Sequence, residues 1–323
     1  MAVIKPKQRQ VIFNLARIVI SAGLLAWIIR SAGLAQLVEV ARTADWRPYG
    51  LAACLALVGI GVRALRWQAL LNAAGARVPF RRTLYLYFVG AFFNTFLPTG
   101  FGGDVVRVLE IGPGATSQQA AGTALVDRLT GFIVLFALAL VALPFSYRLL
   151  PPGTAVVIAL GAAGVLLASA LLFEGRLLRT LTGWLPRSLS LAGDAWIGKT
   201  YDVITACGRR GVAAALLFSL WFNLQLMVES VLVARALGVD VSPWVFFLFV
   251  PVATAALLVP ISISGFGVRE GIYVTLFGQL GVDPALAVAL SLATYSLDFL
   301  MGLVGGGVYL AAGVLGLRQR AAE

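Results

Sequence analysis

Ionisable side chains are scarce in this chain, and several fall where the surrounding residues are apolar. Asp104, Arg107 and Glu110 follow a Gly-rich stretch. Asp127 and Arg128 open an apolar run, Glu229 sits well inside another beside Asn223 and Gln225, Arg269 and Glu270 follow a second Gly-rich stretch, and Asp298 lies in mid-run. A charged group inside a membrane span costs about 2.5–3.5 kcal/mol on insertion scales, so such groups pair with one another or serve a function. Two arginines carry the sharper chemistry. A guanidinium fork grips phosphate oxygens bidentately, and Arg107 and Arg269 each follow glycines (Gly102 and Gly103; Gly265 and Gly267) that let a headgroup approach the backbone. Helix N-termini after those turns would add N–H donors for an anion. Asp104, Glu229, Glu270 and Asp298 would balance the charge or hold a cationic headgroup, and Asn94 would shape the entrance. For Asp127 and Asp298 a purely structural role, pinning helix to helix, stands beside the binding role, and Arg128 is taken with the binding residues.

Composition removes other chemistries. The chain has no histidine, which excludes zinc-protease, Ser-His-Asp and Cys-His sites and most transition-metal centres. No metal and no cofactor is expected. The two cysteines, Cys54 and Cys207, are far apart and read as reduced packing residues. One motif points elsewhere: Gly193-Asp-Ala-Trp-Ile-Gly-Lys-Thr200 matches the P-loop pattern G-x-x-x-x-G-K-[ST]. A P-loop needs a buried strand before it and a doubly wound domain around it. Here the flank is Leu-Pro-Arg-Ser-Leu-Ser, in a segment of under about 40 residues, too short for such a domain. Trp196, Ile197, Thr200, Tyr201 and Ile204 make an apolar stripe at helical spacing, so an amphipathic helix on the inner face is expected, and no nucleotide.

The elements that must position these residues are transmembrane. Of 323 residues 60% are apolar and only 12% charged, against about 25% charged in soluble domains, and mean hydropathy is +0.93. The net charge of +11 fits Lys and Arg on cytoplasmic loops rather than nucleic-acid binding. Apolar segments run Val11–Ile29, Pro48–Leu70, Thr83–Leu97, Ala120–Phe145, Gly153–Phe173, Val212–Leu237, Trp244–Val259 and Ala285–Leu317. The third and seventh are too short for a core of about 30 Å, and each runs into a proline, Pro98 or Pro260, and then glycines. Irregular backbone at that depth must be packed in protein or line a wet cavity. Both are therefore read as re-entrant or broken helices, with Pro98, Gly102, Gly103, Pro260, Gly265 and Gly267 as backbone and gating residues. The predicted fold is all-α and polytopic: one transmembrane domain over residues 1–323, with about six full spans, both termini cytoplasmic, and an inner loop at 174–211. Arg63 and Arg66, near the inner end of their span, are expected to snorkel to headgroups, and Gly302 and Gly306 to serve helix packing.

An internal repeat is also visible. Pro98, Gly103 and Arg107 form P-x4-G-x3-R, and Pro260, Gly265 and Arg269 repeat it at a constant offset of 162 residues. Each copy precedes a D-x-L-x-G pattern, Asp127–Gly131 and Asp298–Gly302. With approximate copies at 83–145 and 244–317, three full spans separate the two broken regions, so the second is inverted. Inverted repeats with broken helices are a recurring plan of alternating-access carriers, whose site lies near the midplane.

These residues resemble a known family. Asn94-Thr-Phe-Leu-Pro98-Thr-Gly-Phe-Gly-Gly-Asp104-Val-Val-Arg107 looks like the first signature of the lysylphosphatidylglycerol synthase transmembrane, flippase-like family. Val126-Asp127-Arg128-Leu129 is similar to its next block, Pro260-Ile-Ser-Ile-Ser-Gly265-Phe-Gly267-Val-Arg269-Glu270-Gly271 to its second signature, and Arg66-Trp67 also fits. The resemblance covers nearly the whole chain. It implies a membrane domain like the flippase half of the multiple peptide resistance factor, held to move aminoacylated phosphatidylglycerol to the outer leaflet. The family's namesakes carry a soluble aminoacyl-transferase domain after the membrane part. This chain ends at Glu323, so it is expected not to make the lysyl-lipid itself.

The expectation is thus a non-enzymatic lipid translocase without its own ATPase, in a bacterial-type inner membrane. Its partners would be a phospholipid, the bilayer, a second copy in a homodimer, and a separate lipid-modifying enzyme. Polyprenyl-phosphate-linked or glycolipid substrates are alternatives. So are a membrane-embedded transferase on lipid-linked substrates and a non-transporting scaffold.

Overall fold

The computed structural model describes residues 34–96, 102–146, 152–174, 196–257 and 265–314. The predicted segment Val11–Ile29, the prolines Pro98 and Pro260, and Gly193–Ala195 of the P-loop-like stretch lie outside the described residues. Among the described residues there are eleven α-helices, one short 3-10 turn (Pro243–Val245) and no strand. We number them α1 (Leu34–Thr43), α2 (Trp46–Ala73), α3 (Phe80–Phe96), α4 (Gly102–Leu109), α5 (Ser117–Ser146), α6 (Pro152–Glu174), α7 (Trp196–Ala206), α8 (Gly208–Ala236), α9 (Phe246–Leu257), α10 (Val268–Gly278) and α11 (Pro284–Val314). Five of them, α2, α5, α6, α8 and α11, are long and apolar enough to cross a membrane. The protein is a polytopic all-α membrane protein, as its composition predicts.

Local chemistry sets the helix ends. Asp45 caps α2, its side chain accepting from Arg47 N at 3.0 Å, and Pro48 falls in the first turn, where its missing N–H costs nothing. Helices α2 and α8 run antiparallel. Asp45 N donates to Ala236 O at one end (2.8 Å), while Gly211 presses on Ala73 at the other. Gln119 at the start of α5 donates to Ala74 O just past the end of α2, at 2.8 Å.

Both short apolar segments turn out to be antiparallel hairpins. Along α3 and α4, Asn94 meets Gly103, Gly90 meets Arg107, and Arg82 donates to Glu110 O. Arg77 N donates to Gly114 O at the open end (2.8 Å). Along α9 and α10, Phe246 packs tilted and Phe249 edge-on against Phe277, with ring centroids 5.6 and 5.0 Å apart. The first hairpin opens where α2 ends and α5 begins. The second opens at the opposite end of the bundle, after α8 and before α11.

Glycines decide how α3 seats on α11. A methyl group at Gly305 would lie 2.0 Å from Phe88 O; at Gly302 it would meet Thr95, and at Gly306 the Phe92 ring. The glycine stripe of α11 is therefore filled by α3 of the same chain, as the packing reading expected. Helix α7 corrects an expectation. It does not merely rest on a membrane face: Tyr201, Ile204 and Cys207 are buried with Leu70, Val126 and Ala215, and Gly122 of α5 leaves room only for Thr200 O and Val203. Cys54 corrects another, since it is exposed on α2 rather than packed in the core, while Cys207 is buried.

Candidate functional site

Four elements converge on a polar cavity of about 130 Å³, lined among others by Arg63 and Arg66 of α2, Asn94 of α3, Asp104 and Arg107 of α4, and Asp127 and Arg128 of α5. Its floor is Asp127, which is 2% exposed. Oδ1 of Asp127 accepts from Arg66 Nε at 2.6 Å, and Oδ2 accepts from the Tyr87 hydroxyl at 2.5 Å. Arg66 also donates to Ser219 on α8 at 3.0 Å. A carboxylate so deep is tolerated only because it is paired and hydrogen-bonded.

Arg107 is the centre of the cavity. It is 4% exposed and donates to Asp104, and its Nη2 lies 3.7 Å from Asp127 Oδ2. Its guanidinium carbon stands 4.1 Å from the Tyr87 ring centroid and 4.8 Å from that of Trp67. This double cation–π seat holds the charge in a dry environment. Nη1 has no hydrogen-bond partner. Asp104 is shared, its other oxygen accepting from Arg128 Nη2 at 2.5 Å.

The second hairpin carries a similar arrangement. Arg269, 6% exposed, stands 4.4 Å above the Tyr295 ring and donates from Nε to Ser291 at 3.2 Å. Its Nη2 lies 3.5 Å from Glu270 Oε1 yet makes no hydrogen bond. Glu270 is fully buried. It accepts from Gly267 N at 2.6 Å and from Ser291 Oγ at 3.1 Å. Gly265 and Gly267 have φ of +77° and +83°, conformations that favour glycine.

The structure brings Asn94, Asp104, Arg107, Asp127 and Arg128 together, and places Arg269 with Glu270 elsewhere. Glu229 and Asp298 do not line the cavity. Glu229 is buried on α8 and accepts from Gln225 at 2.8 Å. Asp298 is exposed about 21 Å along α11, at 1.5 Å per residue. The charges of Arg269 and Arg63 both act on it.

Three expectations change. Gly103 is small because a Cβ there would sit 2.1 Å from Gly90 O, so it serves the α3–α4 contact rather than the approach of a headgroup. One N–H at each of these helix starts is already taken: Asn94 Oδ1 accepts from Gly103 N at 2.7 Å, and Glu270 accepts from Gly267 N. Arg63 and Arg66 do not snorkel. Arg66 is locked on Asp127, and Arg63 stacks on Phe222 with its guanidinium carbon 4.9 Å from the ring centroid. The missed signal was depth, since Arg66 lies seven residues, about 10 Å, before the end of α2. Tyr87 was missed because one tyrosine in an apolar helix carries no distinguishing pattern.

The fold and this buried polar core define a multi-pass helical membrane protein with an arginine-rich interior site. Residues 14–306 match the family described as the lysylphosphatidylglycerol synthase TM region, so the chain belongs to that family. It is also similar to the UPF0104 membrane protein PH1989 of Pyrococcus horikoshii. The two are 22% identical over 321 residues, covering 90% of this chain and 94% of the relative.

Proposed function

We propose that the protein is a lipid translocase that moves a phosphate-bearing lipid between leaflets, performs no chemistry on it and has no ATPase of its own. One observation carries this reading. Arg107 and Arg269, 162 positions apart, are each buried over a tyrosine ring, each beside an acid, and each with a guanidinium nitrogen lacking a hydrogen bond. A buried, unsatisfied donor on a cation costs more than an ordinary unmade hydrogen bond, and a phosphate oxygen would satisfy it.

The two hairpins are read as re-entrant elements related by an inverted repeat, entering from opposite leaflets. Alternating access between such elements moves a headgroup past a midplane site. Asp127, Arg128 and Glu270 hold the arginines in place, Glu229 and Asp298 balance charge between the clusters, and aminoacylated phosphatidylglycerol is one substrate in scope. A net-anionic lipid moves outward downhill in an inside-negative cell, whereas each net positive charge costs about 2.3 kcal/mol per 100 mV.

The test uses purified protein in liposomes carrying a trace of tail-labelled phosphatidylglycerol, with dithionite added outside. Quenching beyond half, abolished in the Arg107→Gln/Arg269→Gln double variant, is expected. Quenching that stalls at the outer leaflet for phosphatidylglycerol, its aminoacylated form and a polyprenyl phosphate would overturn the proposal.

A further inference from the structure

The hairpin cavity offers hydrogen-bond donors and almost no acceptors. Each carboxylate oxygen within it already has a partner. Asp127 Oδ1 faces Arg66 and Oδ2 faces Tyr87; Asp104 Oδ1 faces Arg107 and Oδ2 faces Arg128. Asn94 Oδ1 accepts from Gly103 N. On the donor side, Arg107 Nη1 is unpartnered, and the described ion pairs leave Arg63 without a carboxylate within 4 Å. Four guanidiniums line the space against two carboxylates, a local surplus of two positive charges. The open carboxylate, Asp298, lies outside this lining.

We infer that the cavity selects a lipid whose headgroup is a bare, doubly charged terminal phosphate, and disfavours one carrying an ammonium group. The inference rests on the reading of this cavity as a lipid-phosphate site. A phosphomonoester presents three terminal oxygens and two charges to Arg107 and Arg63, whereas a phosphodiester presents two oxygens and one charge. An ammonium entering with the phosphate would meet four arginines and two carboxylates that those arginines and Tyr87 already engage. About 130 Å³ holds a phosphate with a few waters.

The experiment titrates the full-length protein in detergent with short-chain phosphatidic acid, a short polyprenyl phosphate, phosphatidylglycerol, lysyl-phosphatidylglycerol and inorganic phosphate. Binding is read as the ligand-dependent rise in Tm. Both monoester lipids are expected to bind at least about tenfold more tightly than phosphatidylglycerol, the order expected for one further charge beside two unbalanced guanidiniums. Lysyl-phosphatidylglycerol should bind weakest of the lipids. Inorganic phosphate alone matching the monoester lipids would mean an anion site that does not read the lipid, and would overturn the inference. The monoester preference should collapse at pH 5, where a phosphomonoester with a second pKa near 6 loses one charge while the arginines keep theirs. Arg107→Gln and Arg63→Gln should each abolish the preference. Arg63 has no ion pair to break, so its variant keeps the test valid if Arg107→Gln does not fold. Phosphatidylglycerol or its lysyl form binding as tightly as phosphatidic acid would overturn the inference, most plainly if that binding depended on Asp298. The liposome assay separates the two failures. Arginine-dependent movement of phosphatidylglycerol without monoester preference refutes the selectivity alone, whereas monoester binding without movement of any lipid refutes the translocase.

Discussion

Replacing Gly103 by Ala tests whether the α3–α4 contact positions the arginine. A Cβ at residue 103 would lie 2.1 Å from the carbonyl oxygen of Gly90 and 2.7 Å from Asn94 Cγ. Ordinary contact begins at 3.4 Å, so about 1.3 Å must be found. The Asn94 amide can swing aside, but the Gly90 carbonyl is helix backbone and cannot, so α4 must retreat. Overpacking of this kind costs about 1–3 kcal/mol, and losing the Asn94–Gly103 hydrogen bond about 0.5–1.5 kcal/mol. Alanine recovers about 1 kcal/mol of helix propensity over glycine. Packing wins, for a net loss of about 1–3 kcal/mol. Arg107 lies one turn further along the same helix and packs on Gly90, so it moves with α4, away from the Tyr87 ring. A displacement near 1 Å at a positioned group can cost on the order of a hundredfold in rate, and translocation should fall at least tenfold. The assays are Tm in detergent and dithionite quenching in liposomes. Gly307→Ala, where a Cβ meets nothing within 4 Å, is the control and should leave both unchanged. If Gly103→Ala is as stable and as active as the parent, the argument that this contact holds Arg107 is wrong.

Asp127→Ala strands Arg66 and the Tyr87 hydroxyl in the core and should destabilise by about 3–5 kcal/mol; Asp127→Leu combined with Arg66→Met should recover much of that loss in reversible unfolding. Gly305→Ala drives a methyl group into Phe88 O and should cost about 1–3 kcal/mol without changing which lipid binds. Burial pushes the Cys207 thiol up to about 11, so in a Cys54→Ala background, which removes the exposed cysteine, maleimide labelling of the folded protein at pH 8 should be slow and rise with pH, and should become fast once detergent denatures the bundle; rapid native labelling of that variant would contradict the buried position. Lys199→Ala should leave lipid movement intact, and equilibrium dialysis should find no ATP bound to the parent.

Much of this architecture was legible in the residues themselves. A bilayer demands about 20 apolar residues per crossing, so segments such as Pro48–Leu70 and Val212–Leu237 announce α2 and α8. Shortness and a following proline marked α3 and α9 as exceptional, and both prove to be halves of hairpins. The 162-residue offset pointed to Arg107 and Arg269 before any contact was known, and both are buried with unmade hydrogen bonds. The flanks of the P-loop match argue against a nucleotide site, and the ATP dialysis above is its test.

Partnerships between distant helices were not legible. Asp127 and Arg66 are 61 residues apart, and Arg66 reaches Ser219 across 153. Periodicity says which face of a helix avoids lipid, not which neighbour it meets. That is why Arg66 read as a snorkelling side chain and Tyr87 drew no notice. The same limit hid the role of the glycines, since a missing Cβ licenses a close approach without saying whether a lipid or a second helix makes it. What the chain determined by itself was the class, the long apolar spans and the two arginines, because insertion in lipid imposes local rules on each segment. What only the tertiary structure decided was which charges neutralise one another. Ion pairing in a low-dielectric interior acts over a few ångströms, and only the packing of α2, α3, α4 and α5 brings those groups within that range.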